Sequence, residues 1–161
     1  MKFRHEKNGS LTLTVSGNES LYLHGLASEL RAHIENPDFT KRIAQRLFPR
    51  YADDANVNDE LRQMLYEEHR KQKLDRAIAF ATALEKIPSK GGSISLPADE
   101  LERWMALLTD LRLMYAAVIG IEDDNWGRRI DPRNPPSREV AAYLHLSGIQ
   151  ELLVDHALRG F

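Results

Sequence analysis

The chain has 161 residues, 42% hydrophobic and 29% charged, with 22 Lys+Arg set against 24 Asp+Glu and a formal net charge of −2. That length fits a single domain, 1–161, able to bury about 70% of the surface its unfolded chain exposes. The near-neutral balance disfavours a dedicated nucleic-acid binder, and with no cysteine there is no disulfide, thiolate nucleophile or Cys-based metal site.

The longest apolar run, Met114 to Ile121, is broken by Gly120 and too short to span a bilayer. The opening Met1-Lys2-Phe3-Arg4-His5-Glu6 lacks the apolar stretch of a secretion signal. A cytoplasmic protein without membrane contact is the expectation.

In chain order, residues 1–15 read as a β-hairpin: Leu11, Leu13 and Val15 alternate with Thr12 and Thr14, and Asn8-Gly9 favours a tight primed turn. A lone hairpin is marginal in water, so Ser93-Ile94-Ser95-Leu96 is expected to join it as a third strand. The remainder, 19–158, reads as a helical bundle. Glu19 to Glu35 places Leu23, Leu26, Ala27, Leu30 and Ile34 on one face. A short helix is expected over Asp38 to Phe48, with Asn36-Pro37 as its start signal.

The third helix, Asn58 to Ile87, changes its apolar face from Leu61, Met64 and Leu65 to Leu74, Ala77, Ile78 and Ala81. The stretch between them, Glu67 to Lys73, has no apolar residue; without Pro or Gly, the helix should pass from one neighbour to another instead of kinking. The fourth spans Ala98 to Ile119 and stops at Gly120; the fifth spans Ser137 to Leu158, after a long loop. The fold class is mostly α, about five helices with a small antiparallel sheet, and helix contacts should centre on the fourth and fifth helices.

Tests for chemistry remove most reaction classes. None of the six histidines has i, i+4 spacing to another, and His145 and His156 stand about 16 Å apart by helix rise. Gly91-Gly92-Ser93 is neither a nucleophile elbow nor a phosphate loop. The run Glu122-Asp123-Asp124-Asn125 lacks the alternation of a calcium loop, and a solvated acidic loop is the simpler reading. No catalytic residue, metal site or cofactor is assigned.

Trp126, beside Arg128 and Arg129, either pins its loop to the core or faces a partner; pinning is the stronger reading. The basic residues Lys41, Arg42, Arg46 and Arg50, and Arg70, Lys71, Lys73 and Arg76, are read as solvated charged faces.

One anomaly stands out. Arg112 falls within the fourth helix's apolar face of Leu101, Met105, Leu108, Tyr115 and Ile119. Glu151 falls within the fifth helix's expected face of Val140, Tyr143, Leu144, Val154 and Leu158. Lone charges in a core cost several kcal/mol. Arg112 and Glu151 are therefore expected to pair, with Ser147, Glu68 and Gln72 as further partners. The pair either fixes helix register or floors an anion-binding pocket.

The ordered blocks Arg46-Leu47-Phe48-Pro49, Tyr51-Ala52-Asp53-Asp54, Thr109-Asp110-Leu111-Arg112-Leu113, Gly120-Ile121-Glu122-Asp123-Asp124 and Ile149-Gln150-Glu151-Leu152-Leu153 resemble a bacterial family catalogued as domain of unknown function 2017. The likeness covers about residues 45 to 158, and departs at Thr109, where the family usually has Asn. The resemblance implies a small cytoplasmic bacterial protein without assigned activity, often encoded near the adaptor of the Clp protease.

The leading functional expectation is a non-enzymatic interaction or adaptor module, binding another protein or itself through Trp126, Arg128 and Arg129 and through Arg46 and Arg50. The alternatives are an anion binder or enzyme around Arg112, Glu151, Glu68 and possible further partner His69, and a weak nucleic-acid binder using the basic helices.

Overall fold

The computed structural model describes residues 1–123, 125–129 and 135–159, with the backbone alone for Arg129 and Arg159. Strands β1 (Lys2–His5), β2 (Leu11–Val15) and β3 (Gly92–Leu96) form an antiparallel sheet in the order β1-β2-β3, as the alternation predicts. Phe3 pairs with Leu13, and Leu13 with Ile94. Leu11, Leu13 and Val15 are buried against the helices, while Thr14 turns outward and its hydroxyl meets that of Ser93 at 2.8 Å.

The hairpin turn differs from expectation. Only Gly9 takes positive φ, 81°, whereas a primed Asn-Gly turn needs it at Asn8 as well. Instead, Gly9 N–H donates to Glu6 C=O at 3.0 Å and Glu6 N–H to Ser10 C=O at 2.9 Å, the pattern of a three-residue loop ending in a left-handed glycine. The Asn8 side chain favours this form by accepting from Ser10 N–H at 3.1 Å.

Helix α1 (Gly17–Glu35) begins in a capping box: the Glu19 N–H donates to the Ser16 hydroxyl, and the Ser16 N–H donates to the Glu19 carboxylate at 2.8 Å. The same carboxylate holds the Met1 amine. Gly17 is required by close approach, since a Cβ there would lie 1.9 Å from the Ser89 carbonyl oxygen. Leu23, Leu26, Ala27, Leu30 and Ile34 are all buried, as read from their spacing.

Helix α2 is shorter than expected, Arg42–Leu47. The Asp38 carboxylate accepts from the Thr40 N–H at 3.0 Å and its hydroxyl at 2.6 Å, so a side-chain turn replaces the expected first helical turn. Helix α3 (Ala55–Glu85) is capped by Asp54 and runs uninterrupted through its apolar-free stretch. There Arg70 donates to the Ile34 and Glu35 carbonyls, each at 3.1 Å, and closes the C-terminal end of α1.

Before that point Tyr66 packs on Phe48 and Phe39; after it Phe80 packs on Trp104. The helix therefore exchanges one neighbour for another, although Met64 and Ile78, expected on its packed faces, are exposed. Phe80 and Leu84 take the inner positions with Ala77.

Helices α4 (Ala98–Ile119) and α5 (Arg138–Arg159) complete the bundle of five described α-helices. The most extensive helix pairings are α1 with α3 and α4 with α5, so the contacts do not centre on the last two alone. The α5 face also differs from expectation. Ala142, Leu146, Ile149, Leu153 and His156 point inward, whereas Leu144, Val154 and Leu158 are exposed. The helix has apolar residues on both sides, and α4 takes the side of Ala142, Leu146, Ile149 and Leu153. His156 also touches the His5 ring, tying β1 to α5.

Two outcomes test this frame. Gly17→Ala is expected to lower stability by about 2 kcal/mol or more, read by urea unfolding, because the Ser89 backbone must move. Glu19 is held down to about 2 from 4.5 by the Met1 amine first and the Ser16 N–H next. A depressed folded pKa means its stabilisation is present above pH 4.5 and lost as pH falls toward 2. Glu19→Gln should flatten the acid limb of Tm against pH across that window; an unchanged limb contradicts the assignment.

Candidate functional site

Helix α4 lies at the centre of the bundle. Leu101, Trp104, Leu107, Leu108, Leu111, Met114 and Tyr115 are buried along one side of it, and it contacts β3 and each of the other four described α-helices. A charge at the margin of such a buried face is costly unless it is paired. Asp110 is nevertheless on it with only 4% of its side chain exposed. Its carboxylate pairs with Lys73, and with Arg76 Nη2 at 3.1 Å, both from α3.

Lys73 and Arg76 stand one helical turn apart, which lets both reach the same carboxylate. They are turned inward, contrary to the solvated face expected of the basic stretch. Lys71 does remain outside, paired with Asp75 at 2.9 Å. Asp110 escaped the sequence reading because it stands about half a turn from the face chosen for α4. The available signal was the unbroken apolar run from Leu113 to Ile119 just beyond it, which predicts that this end of the helix is buried on more than one side.

Arg112 is half-buried between α4 and α5, but its expected partner is wrong. Glu151 is exposed, because the inward stripe of α5 runs through Ile149 and Leu153. Two residues beyond Ile149 is about 200° of helix rotation. Gln150, at the edge of the stripe, takes the place instead. Arg112 donates to Gln150 Oε1 at 2.6 Å, to Ser147 Oγ at 3.0 Å and to the Tyr143 hydroxyl at 3.3 Å. Ser147 is thus an expected partner that is observed, whereas Gln72 donates to Glu68 at 2.8 Å on the exposed face of α3.

Gln150 also donates to Thr109 Oγ1 at 2.7 Å. The Thr109 hydroxyl is the acceptor of this bond. The Arg112 arrangement is a clamp of neutral oxygens across the α4–α5 seam, with no carboxylate among its described partners.

Trp126 lies in a 3-10 turn, Trp126–Arg129, and stands edge-on to Tyr143 with centroids 5.1 Å apart, so the ring pins its loop beside the Arg112 clamp. Arg46 donates to the Ile121 carbonyl, Arg42 pairs with Glu122 at 2.8 Å, and Arg50 donates to the Asp53 carbonyl at 2.7 Å. Much of the expected basic surface therefore serves loop carbonyls, while Arg128 is exposed. The side chain of Arg129, and Asp124 of the acidic run, lie outside the described residues. Among the described residues no three His, Asp or Glu side chains converge as a metal site.

What the described surface does offer is the outer side of α5, with Leu144 48%, Leu152 48%, Val154 42% and Leu158 75% exposed. A helical bundle with a small sheet and an apolar outer helix face defines a scaffold class, without specifying its ligand. The chain belongs to the family described as Domain of unknown function (DUF2017), whose model matches residues 1–157 and so includes the N-terminal sheet and α1 as well as the later blocks. No curated protein and no solved structure shows significant similarity to it.

Asp110→Asn, which strands two cations in a largely dry site, should destabilise the chain by about 3 kcal/mol. Glu151→Gln should change stability by less than about 0.5 kcal/mol. Chemical denaturation reads both; comparable losses at the two positions would contradict the placement of charge described here.

Proposed function

We propose that the protein is a non-enzymatic, cytoplasmic interaction module with a regulatory or adaptor role, and that its contact surface is the outer face of α5. The observation that carries this reading is the exposure of Leu144, Leu152, Val154 and Leu158 about Glu151 on the outer side of a helix whose opposite side already fills the core. Burying a leucine side chain fully is worth about 1.5–3 kcal/mol, so such exposure favours a partner.

Gly148 lies between Leu144 and Leu152, one turn from each, and a Cβ there would meet nothing within 4 Å. Among the described residues nothing asks for glycine at this point, and mid-helix glycine costs about 1 kcal/mol relative to alanine. A second helix crossing at Gly148 could approach closely and seat its side chains against both leucines. The spacing reads the same in either direction about Gly148, so a second copy of α5 in antiparallel orientation satisfies it with one two-fold axis.

Sedimentation equilibrium tests this. The wild type is expected to form a dimer at concentrations of about 50 µM, and the Leu144→Glu/Leu152→Glu variant to remain monomeric with its Tm nearly unchanged. A wild-type chain that stays monomeric to about 200 µM contradicts the self-pairing on which this reading rests.

A further inference from the structure

Beside the Asp110 cluster lies a cleft of about 270 Å³, walled by Phe48 and Pro49 and lined by Tyr51, His69, Lys73 and Arg76. Three features of it bear on what it can take. The first is charge. One carboxylate, Asp110, faces two cations, Lys73 and Arg76, so this ionic group carries a surplus of one positive charge. Lys73 and Arg76 keep only 16% and 23% of their side chains exposed, which weakens solvent screening of that surplus.

The second feature is donor capacity. Arg76 Nε is buried and has no hydrogen-bond partner among the described residues, a costly state for a guanidinium N–H. Tyr51 and His69 are joined, hydroxyl to Nδ1, at 3.0 Å; when Tyr51 donates, the ring carries its own hydrogen at Nε2 and is a neutral donor. Of the acidic neighbours in sequence, Glu68 beside His69 is exposed and bonded to Gln72, and Asp75 beside Arg76 is exposed and paired with Lys71. The third feature is the apolar wall: Phe48 is buried, and its ring lies 5.9 Å from the Lys73 ammonium.

We infer that this cleft is a binding site for a small monocarboxylate with an apolar body: the carboxylate between Lys73 and Arg76, its carbon frame against Phe48 and Pro49. A single negative charge offsets the surplus, whereas a phosphate dianion would overshoot it. The volume lies below the range of about 300–1,000 Å³ typical of drug-sized ligands, so the body is small. The site uses none of the α5 residues of the proposed contact surface, and stands or falls independently of it.

Benzoate is the probe. Two-dimensional amide NMR of the full chain, titrated to about 20 mM, is expected to show saturable shifts for Phe48, Arg50, Tyr51 and residues 69–76 with millimolar affinity. Benzamide, of the same shape without charge, should leave those amides unmoved. Arg76→Gln should weaken benzoate at least about tenfold. Because that variant also disturbs the Asp110 cluster, His69→Gln and Tyr51→Phe provide a second arm on the cleft's rim, each expected to weaken binding about threefold.

The source of the carboxylate is read by a short peptide ending in Phe, as free acid and as C-terminal amide. A free-acid response equal to or stronger than that to benzoate assigns the carboxylate to a chain end; a weaker one assigns it to a free small molecule. The absence of saturable shifts, equal shifts with benzamide, or a response to inorganic phosphate that exceeds the response to benzoate would overturn the assignment.

Discussion

The fold is organised around a charge that has almost no contact with water. Asp110 sits on the central helix, and a carboxylate so placed is tolerable only with cations fixed against it. Lys73 and Arg76 supply them, and both come from the second half of α3. The rotation of α3 about its axis is thereby set where it passes α4, and this turns Phe80 onto Trp104. Three residues earlier, Arg70 closes the end of α1. The polar stretch in the middle of the longest described helix is therefore a joint: Arg70 engages α1 and Lys73 engages α4, and the helix changes partners without interruption.

Elements whose geometry follows from one local pattern were legible in the sequence. The alternation of Leu11, Leu13 and Val15 located the sheet, and the spacing from Leu23 to Ile34 located the buried face of α1. What escaped was decided by competition. At Asp38 a side-chain turn competes with the first helical turn and wins. Along α5 apolar residues on two sides compete for the core, and periodicity reports that both exist without saying which side α4 selects.

That second competition explains the largest error at the candidate site. With the stripe of Val154 and Leu158 turned inward, Glu151 would have faced Arg112; with Ile149 and Leu153 inward, Gln150 does. The principle that a charge in the core must be paired was sound, but it applied to Asp110, whose partners lie 37 and 34 residues away in sequence. Spacing within a helix carries no information at that range. Arg112, half-buried at a seam, is satisfied by neutral oxygens because part of its charge still faces water.

The outer apolar residues of α5 and the surplus cation beside Asp110 have a common origin. Each is a part of the molecule that internal packing leaves unsatisfied: apolar area in one case, positive charge in the other. In the functions proposed above, contact with another helix would resolve the first, and a small carboxylate the second. The clamp around Arg112 stands between α4 and α5 and keeps the outer helix in register, with Trp126 against Tyr143 closing the adjoining loop.

The most direct measurement of the central claim is a double-mutant cycle between Lys73 and Asp110, using Lys73→Met, Asp110→Leu and the combined variant, with unfolding free energies from urea titration. If the buried cluster governs how α3 seats on α4, the two sites are coupled by about 1.5 kcal/mol or more, and the double variant is more stable than the sum of single losses implies. Losses that add within about 0.3 kcal/mol would show that the two side chains act independently, and would contradict the account.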